Sequence, residues 1–564
     1  MNQPLAHPAP RTEQVDAVIV GAGFAGLYML HTLRGMGLSA RVIEAGSDVG
    51  GTWYWNRYPG ARCDVESALY SYSFDEALEQ EWEWTERYPT QPEIQRYLAH
   101  VADRFDLRRD IWFDTRVASA VFDDAANLWS VATERGDRLT AQWCIMATGN
   151  LSAARMPDIP GTVDTSLPVY HTGNWPAEGV DFSGQDVAVI GTGSSGIQAI
   201  PEIAQQAKHL TVYQRTASFT VPARNTPIDR EHYATIKRDY RDLRERWRVA
   251  DLLGAGEHIA VGSRFRRDVA THEEDDDQRR AEYERRWQSG GAWFTGAYNN
   301  LLTDAAANET AADFIRGKIG EIVTDPATAE KLMPRGFPVG AKRMAVDTDY
   351  YATFNRDNVD LIDLSADPIA AITDAGLRTA TAERCHDAIV FATGFDAMTG
   401  ALVRIDIRGI DGTTLADTWS AGPRTALGLM TAGFPNLFFV TGPGSPSVLG
   451  NVVAHIEQHV ELVADFLRAA QDAGDDRIEA REAAQDAWVE RVNDYAAATL
   501  FPEANSWYLG ANVPGKPRVF MPFVGGLGAY RDICERELAD GLPSFVLSAP
   551  SDRAAPATVT REQA

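Results

Sequence analysis

Gly184-Gln-Asp-Val-Ala-Val-Ile-Gly191-Thr192-Gly193-Ser194-Ser195-Gly196 is a short apolar strand running into a Gly-x-Gly-x-x-Gly turn. It is the second such turn in the chain, after Gly21-Ala-Gly23-Phe-Ala-Gly26. The first turn sits in a strand–turn–helix–strand setting. Asp16 to Val20 leads in, Leu27, Leu30 and Leu33 mark the inner face of a helix that Gly35 and Gly37 end, and Ala40 to Glu44 follows. There the first glycine permits the tight turn, the second lets backbone approach a pyrophosphate, and the third lets helix and strand pack closely. The helix N-terminus then faces the phosphates. Two turns predict two dinucleotides, although a glycine-rich turn without a ligand is the competing reading.

The residue 18 or 19 positions after the last glycine of each turn, in the second strand of the unit, separates the two nucleotides. In the first unit it is Glu44, placed for ribose hydroxyls and hostile to a 2′-phosphate; in the second, Leu210 to Thr216, it is Arg215. Exchange of acid for base is the mark of a 2′-phosphate, so the first unit is expected to take FAD and the second NADPH. A solvated surface arginine is the alternative for Arg215.

A chain of 564 residues is too long for one core, and its net charge of −26 argues against a nucleic-acid or anionic-membrane face. Cys63, Cys144, Cys385 and Cys534 are scattered without a Cys-x-x-Cys pair, which removes zinc-ribbon and dithiol-redox readings; no metal site is expected. The N-terminus lacks the order of a signal peptide, and no apolar run approaches a membrane span. A soluble, cytoplasmic monomer is expected.

The fold class read from these features is α/β, two Rossmann-like dinucleotide-binding domains with an inserted helical subdomain. Residues 15–150 and 395–548 are assigned to an FAD domain, 151–225 and 331–394 to an NADPH domain, and 226–330 to the insertion. Residues 1–14 and 549–564 are read as flexible tails. The first domain is expected to hold a helix over Gln91–Phe105 and strands near Ile111–Phe113, Val117–Phe122, Trp129–Thr133, Cys144–Thr148 and Asn436–Val440. Helices near His455–Ala469 and Arg481–Tyr495 complete it. Val359–Asp363 and Ala388–Ala392 read as strands of the second domain, and the run Glu273–Asp277 as a solvated face. Ala-Thr-Gly occurs at 147–149 and again at 392–394, near each crossing between the domains.

Gly50-Gly-Thr52-Trp53-Tyr54-Trp55-Asn-Arg-Tyr-Pro-Gly-Ala-Arg-Cys-Asp64 makes a poor helix or strand. Long irregular loops in compact domains tend to be functional, though its tryptophans could simply plug a domain seam. His171-Thr-Gly-Asn-Trp175-Pro176 stands before the second turn, where the domains would join.

These motifs together resemble the type I Baeyer–Villiger monooxygenases, the class B flavoprotein group, over roughly residues 14 to 547. Trp53 to Asp64 and Asn512-Val-Pro-Gly-Lys-Pro-Arg-Val-Phe-Met-Pro are most similar to the phenylacetone and steroid monooxygenases. The family's linker fingerprint is half kept: His171, Trp175 and Pro176 match, whereas Thr165 and Leu167 replace Phe and Gly. That departure is expected to alter local packing rather than chemistry.

The resemblance implies an NADPH- and O2-dependent flavin enzyme that inserts oxygen beside a ketone carbonyl through a C4a-peroxyflavin and a tetrahedral adduct, with sulfide oxidation alongside. It implies Arg343 as the active-site arginine and Asp64 as its partner. Thr52, Trp53, Tyr54, Trp55, Asp64, Tyr70, Val117 and Val452 are carried over as contacts of the flavin cofactor. Arg215, Thr216 and Lys342 correspond to the 2′-phosphate site, Trp507 to a tryptophan along bound NADP, and Ser447, Val448 and Leu449 to the ketone pocket. His171 and Trp175 are assigned conformational roles. An N- or S-oxygenating flavin monooxygenase is the rival enzyme, and a flavin-binding redox sensor the rival from another class.

Overall fold

The structure, a computed structural model, describes residues 10–248 and 267–549. Two sheets grow from the two glycine turns, the first mixed, with Leu128–Thr133 antiparallel to both its neighbours, and the second parallel. In the first, the strands run in the order Asp406–Arg408, Val117–Asp123, Leu128–Thr133, Arg138–Met146, Thr12–Val20, Ala40–Ile43 and Ile111–Trp112. An eighth strand, Leu437–Phe439, pairs in parallel with Arg138–Met146. Ala17–Val20 and Cys144–Met146 are buried without a break, as strands covered on both faces must be. Helices Phe24–Gly35 and Val452–Ala473 pack together over this sheet.

The second sheet runs Val359–Asp363, His209–Gln214, Asp186–Ile190, Ala388–Phe391 and Val169–His171, all parallel. Its helix, Ser194–Gln206, follows the second turn directly. Between the sheets' contributions lie helices Arg230–Arg238, Tyr240–Arg248, Asp276–Ser289, Ala305–Ile322 and Pro326–Leu332, the charge-rich helical segments that the sequence predicts.

Four expectations need correction. The first strand begins at Thr12, inside the predicted tail, because Thr12 to Gln14 pair with Arg138 to Thr140 and Arg11 clasps Asp137. Arg11 donates to both Asp137 oxygens, and its guanidinium holds that carboxyl down at about 2. Within the 50–64 stretch, Thr52–Trp55 forms one helical turn. His171 ends an edge strand of the second sheet rather than a bare linker. Glu274 departs from the otherwise exposed Glu273–Asp277 run, bonding to Arg267 and Tyr298. An antiparallel sheet of Ile369–Thr373, Gly376–Thr379 and Glu383–Cys385 was not foreseen. The remainder of the predicted tails, 1–9 and 550–564, and residues 249–266 of the insertion lie outside the described residues.

Candidate active site

The two turns are built alike. A Cβ on Gly26 would stand 1.8 Å from the Gly21 carbonyl oxygen, and one on Gly196 2.2 Å from that of Gly191. Gly21 and Gly191 have φ of +105° and +112°, and a Cβ on either would collide with the carbonyl oxygen of Ala147 or Ala392. This accounts for the repeated Ala-Thr-Gly: each copy follows the strand whose end packs against a turn. The helices that start at Phe24 and Ser194 have glycine N-caps and no side-chain cap, so their first N–H groups point at whatever occupies the turn. Both cradles therefore fit a pyrophosphate.

Glu44 is buried, and its two oxygens accept the N–H groups of Ala22 and Gly46 at 2.7 Å each. Burial pushes its pKa up while those N–H groups oppose the rise. Each oxygen keeps a lone pair for a ribose hydroxyl. In the second unit, Arg215 and Thr216 are exposed, and the Thr216 carbonyl accepts the Thr192 hydroxyl at 3.0 Å. Lys342 lies 4.1 Å from the Phe337 ring centroid, and its pKa is lowered by burial and by the nearby Arg215 charge. Among the described residues neither cation has a carboxylate partner in an ion pair, which suits a phosphate.

The 50–64 stretch spans the two units. Tyr58 donates to Gln198 Oε1 at 2.8 Å, and Gln198 Nε2 returns a bond to the Arg62 carbonyl. Tyr58 is pushed up to about 12 by burial, against a hydrogen bond with Ser195. Trp175 N–H meets the Trp55 carbonyl at 3.4 Å. Trp53 is buried, donates its indole N–H to the Tyr70 hydroxyl at 3.0 Å and gives its carbonyl to Gln91. Tyr54 sits beside Trp55 in an edge-on contact. Val117 is buried in the first sheet, and Val452 opens the helix after the 445–451 loop.

At the end of this stretch Asp64 meets Arg343. Nε donates to Oδ2 and Nη2 to Oδ1, both at 2.7 Å, while Nη1 donates to the Val448 carbonyl at 2.8 Å. Burial tends to lower the guanidinium pKa, but Asp64 more than reverses this, so the cation is permanent. Val448 belongs to a short turn, Ser447–Leu449, in which Ser447 is fully buried with φ +40°. Its carbonyl accepts His455 Nδ1–H at 2.6 Å.

Sequence reasoning missed Tyr508. Its hydroxyl, pushed up to about 12 by burial, interacts with Arg343. Its only signal was adjacency to Trp507, whose ring lies 4.3 Å from it. The loop that carries both is tied to the second Ala-Thr-Gly crossing: Asn512 Nδ2 donates to the Phe395 carbonyl and Lys516 pairs with Asp396 at 2.6 Å. At the same crossing, His171 Nδ1 accepts Gly173 N–H at 2.9 Å, and Nε2 stands 3.3 Å from the Thr393 hydroxyl. Burial lowers its pKa, so the ring is neutral near pH 7. Thr165 and Leu167 lie apart from Arg343: Thr165 bonds the Thr373 carbonyl and Leu167 packs beneath the antiparallel sheet. A cavity of about 1030 Å³ is bounded by Ala68, Arg87, Ile228, Tyr233, Glu282 and Trp293 rather than by Arg343 or Asp64.

Among the described residues no metal-binding cluster occurs and no helix is long and apolar enough to cross a membrane. All four cysteines are free. Residues 18–235 match the family model described as pyridine nucleotide-disulphide oxidoreductase. The chain is 43% identical to a Baeyer–Villiger monooxygenase of Pseudooceanicola batsensis, over 94% of this chain and 96% of that protein. It is 40% identical to the phenazine N-monooxygenase of Lysobacter antibioticus, over 96% and 98%. A solved structure of oxidized steroid monooxygenase bound to NADP superposes with a TM-score of 0.89 at 50% identity, covering 95% of this chain and 99% of that one. The chain belongs to the type I Baeyer–Villiger monooxygenases.

Proposed function

We propose that this chain uses FAD, NADPH and O2 to insert one oxygen beside the carbonyl of a small-molecule ketone, giving an ester or lactone. The observation that carries the reading is the Arg343–Asp64 pair with its third contact at the Val448 carbonyl. Bound NADPH would supply hydride and bound FAD the activation of O2. Residues 15–150 with 395–548 would hold FAD, and residues 151–225 with 331–394 NADPH. Gly21, Gly23 and Gly26 with Glu44 would seat the first nucleotide, and Gly191 to Gly196 with Arg215, Thr216 and Lys342 the second. Thr52 to Trp55, Tyr70, Val117 and Val452 would line the flavin.

Arg343 directs a fixed positive charge at the site and cannot lose its proton, so it holds a ketone oxygen and the negative charge that develops there. A preorganised donor of this kind is worth roughly 3 kcal/mol of barrier. Asp64 sets the plane of the guanidinium, because two parallel N–H···O bonds define one orientation. The Val448 carbonyl fixes the remaining prong, and with it the turn Ser447–Leu449 that shapes the ketone pocket. Trp507 would cover the nicotinamide nucleotide and exclude water. His171 and Trp175 would act through conformation at the domain crossing. The protein is read as a cytoplasmic monomer.

N-oxygenation is the second reading, favoured by the phenazine N-monooxygenase relative. One experiment tests both: NADPH consumption by the purified protein in air, with linear, aromatic and steroidal ketones, phenazines and sulfides, and products analysed by mass spectrometry. Ketone-stimulated consumption with a product one oxygen heavier supports the ketone reading. Oxygenated phenazines without esters favour the second, and no consumption by the FAD-loaded protein would sink both.

A further inference from the structure

Arg244, on helix Tyr240–Arg248 of the insertion, is 6% exposed and reaches into the first domain. Its Nε donates to Glu79 Oε1 at 3.0 Å, Nη1 to the Leu69 carbonyl at 3.2 Å, and Nη2 to the Ser71 hydroxyl at 2.8 Å. The Leu69 carbonyl has a second donor, Asn451 Nδ2 at 2.7 Å. A carbonyl oxygen has two lone pairs, and here one takes a bond from the insertion and the other a bond from the end of the 445–451 loop.

Asn451 is placed to transmit that constraint. Its Oδ1 accepts the Val453 N–H and caps helix Val452–Ala473, while on its other side the chain leads straight back to Ser447-Val448-Leu449. That turn contains a non-glycine residue at positive φ, a conformation that persists only where the surroundings impose it. Three contacts impose it: His455 on the Ser447 carbonyl, Arg343 on the Val448 carbonyl, and Asn451 on the Leu69 carbonyl. The Leu69 carbonyl is itself fixed by Arg244. Leu69 ends the short turn Ser67–Leu69 that follows Asp64, and the next residue, Tyr70, holds the Trp53 indole.

We propose that Arg244 is a positioning residue for the ketone pocket: through the Leu69 carbonyl it anchors Asn451 and thereby the pose of the Ser447–Leu449 turn. The helical insertion thus helps set substrate affinity without touching substrate. The link to the ketone rests on the function proposed above; the anchoring itself does not.

Removing Arg244 alone would leave Glu79, a carboxylate whose side chain is 8% exposed, without this partner, a change that commonly costs folding. The test therefore uses the holoenzyme carrying Arg244→Met with Glu79→Leu, and separately Arg244→Lys. Hydrogen exchange of the amides in 445–453 is expected to quicken about tenfold in the double variant, with protection of strand Arg138–Met146 unchanged. The ketone KM is expected to rise about tenfold and the peroxide share of turnover to grow. Anaerobic flavin reduction by NADPH, which needs no ketone, should stay within about twofold of wild type. Arg244→Lys, which keeps the charge but offers one donor nitrogen in place of three, should fall between. Wild-type exchange at 445–453 in the folded double variant overturns the anchoring, even if wild type forms no ester, an outcome that would sink only the activity reading. Faster exchange with an unchanged ketone KM overturns the positioning role, as does a parallel loss of flavin reduction and ketone turnover.

Discussion

Arg343 and Asp64 stand 279 residues apart in the chain and meet through two parallel hydrogen bonds of 2.7 Å. The pair joins the stretch that spans both nucleotide units to the segment by which the chain returns from the insertion. With Nε and Nη2 committed to Asp64 and Nη1 to the Val448 carbonyl, the guanidinium is fixed in plane and in position. A charge held this way is preorganised and needs no reorientation when negative charge develops beside it.

Arg343→Ala should therefore separate the two half-reactions. Flavin reduction by NADPH is expected to persist, while ester formation falls at least about a hundredfold, the loss typical of one removed preorganised donor. Stopped-flow reduction and product analysis on one preparation check this. Ester synthesis near the wild-type rate would remove Arg343 from the mechanism.

The same pair marks the limit of what the sequence discloses. The glycine turns and central strands are legible, because buried parallel strands are written as apolar runs such as Ala17–Val20 and Val187–Ile190. The Arg343–Asp64 contact is not: nothing in spacing links position 64 to position 343, and only family resemblance nominated them. The Val448 carbonyl was invisible for another reason, since a backbone acceptor carries no residue identity. Tertiary partners also decided the edges. Thr12 to Gln14 have an ordinary polar composition and became strand because Arg138 to Thr140 lay open beside them. Thr52–Trp55 is a single turn, too short for periodicity to show.

Arg215 and Lys342 are close enough for the Arg215 charge to depress the Lys342 pKa, and neither forms an ion pair with a carboxylate among the described residues. A 2′-phosphate would relieve that repulsion, and NADH carries none. Arg215→Ala is thus expected to weaken NADPH by about tenfold or more while leaving NADH nearly unchanged. Steady-state KM values for both nucleotides decide it. Equal losses would mean that Arg215 serves the fold rather than the phosphate.

The matching glycines offer a way to disable one nucleotide at a time. Gly196→Ala puts a methyl 2.2 Å from the Gly191 carbonyl oxygen, and Gly26→Ala one 1.8 Å from that of Gly21. Backbone cannot yield cheaply there, so each turn must open. Gly196→Ala should keep its yellow colour and lose NADPH binding; Gly26→Ala should be purified without flavin. Absorbance and nucleotide titration distinguish the two, and a Gly196→Ala protein with wild-type NADPH affinity would contradict the cradle.

Glu457 should make stability depend on pH. It is buried on helix Val452–Ala473, with its oxygens accepting the N–H and hydroxyl of Ser73 at 2.5 and 2.7 Å. Burial raises its pKa to about 7, opposed by the Arg244 charge and the Ser73 bonds. The folded value lies above that of an unfolded glutamate, so the folded chain binds more protons between about pH 4.5 and 7. The stabilisation is complete below the unfolded value and is lost as pH rises through 7. Glu457→Gln mimics the protonated carboxyl: its oxygen can accept Ser73 N–H and its amide can donate to the Ser73 hydroxyl. The variant is therefore expected to match the wild-type Tm near pH 5 and exceed it at pH 8. A wild type more stable than Glu457→Gln at pH 8 would mean that attraction to Arg244 outweighs burial and that the folded pKa of Glu457 lies below the unfolded one.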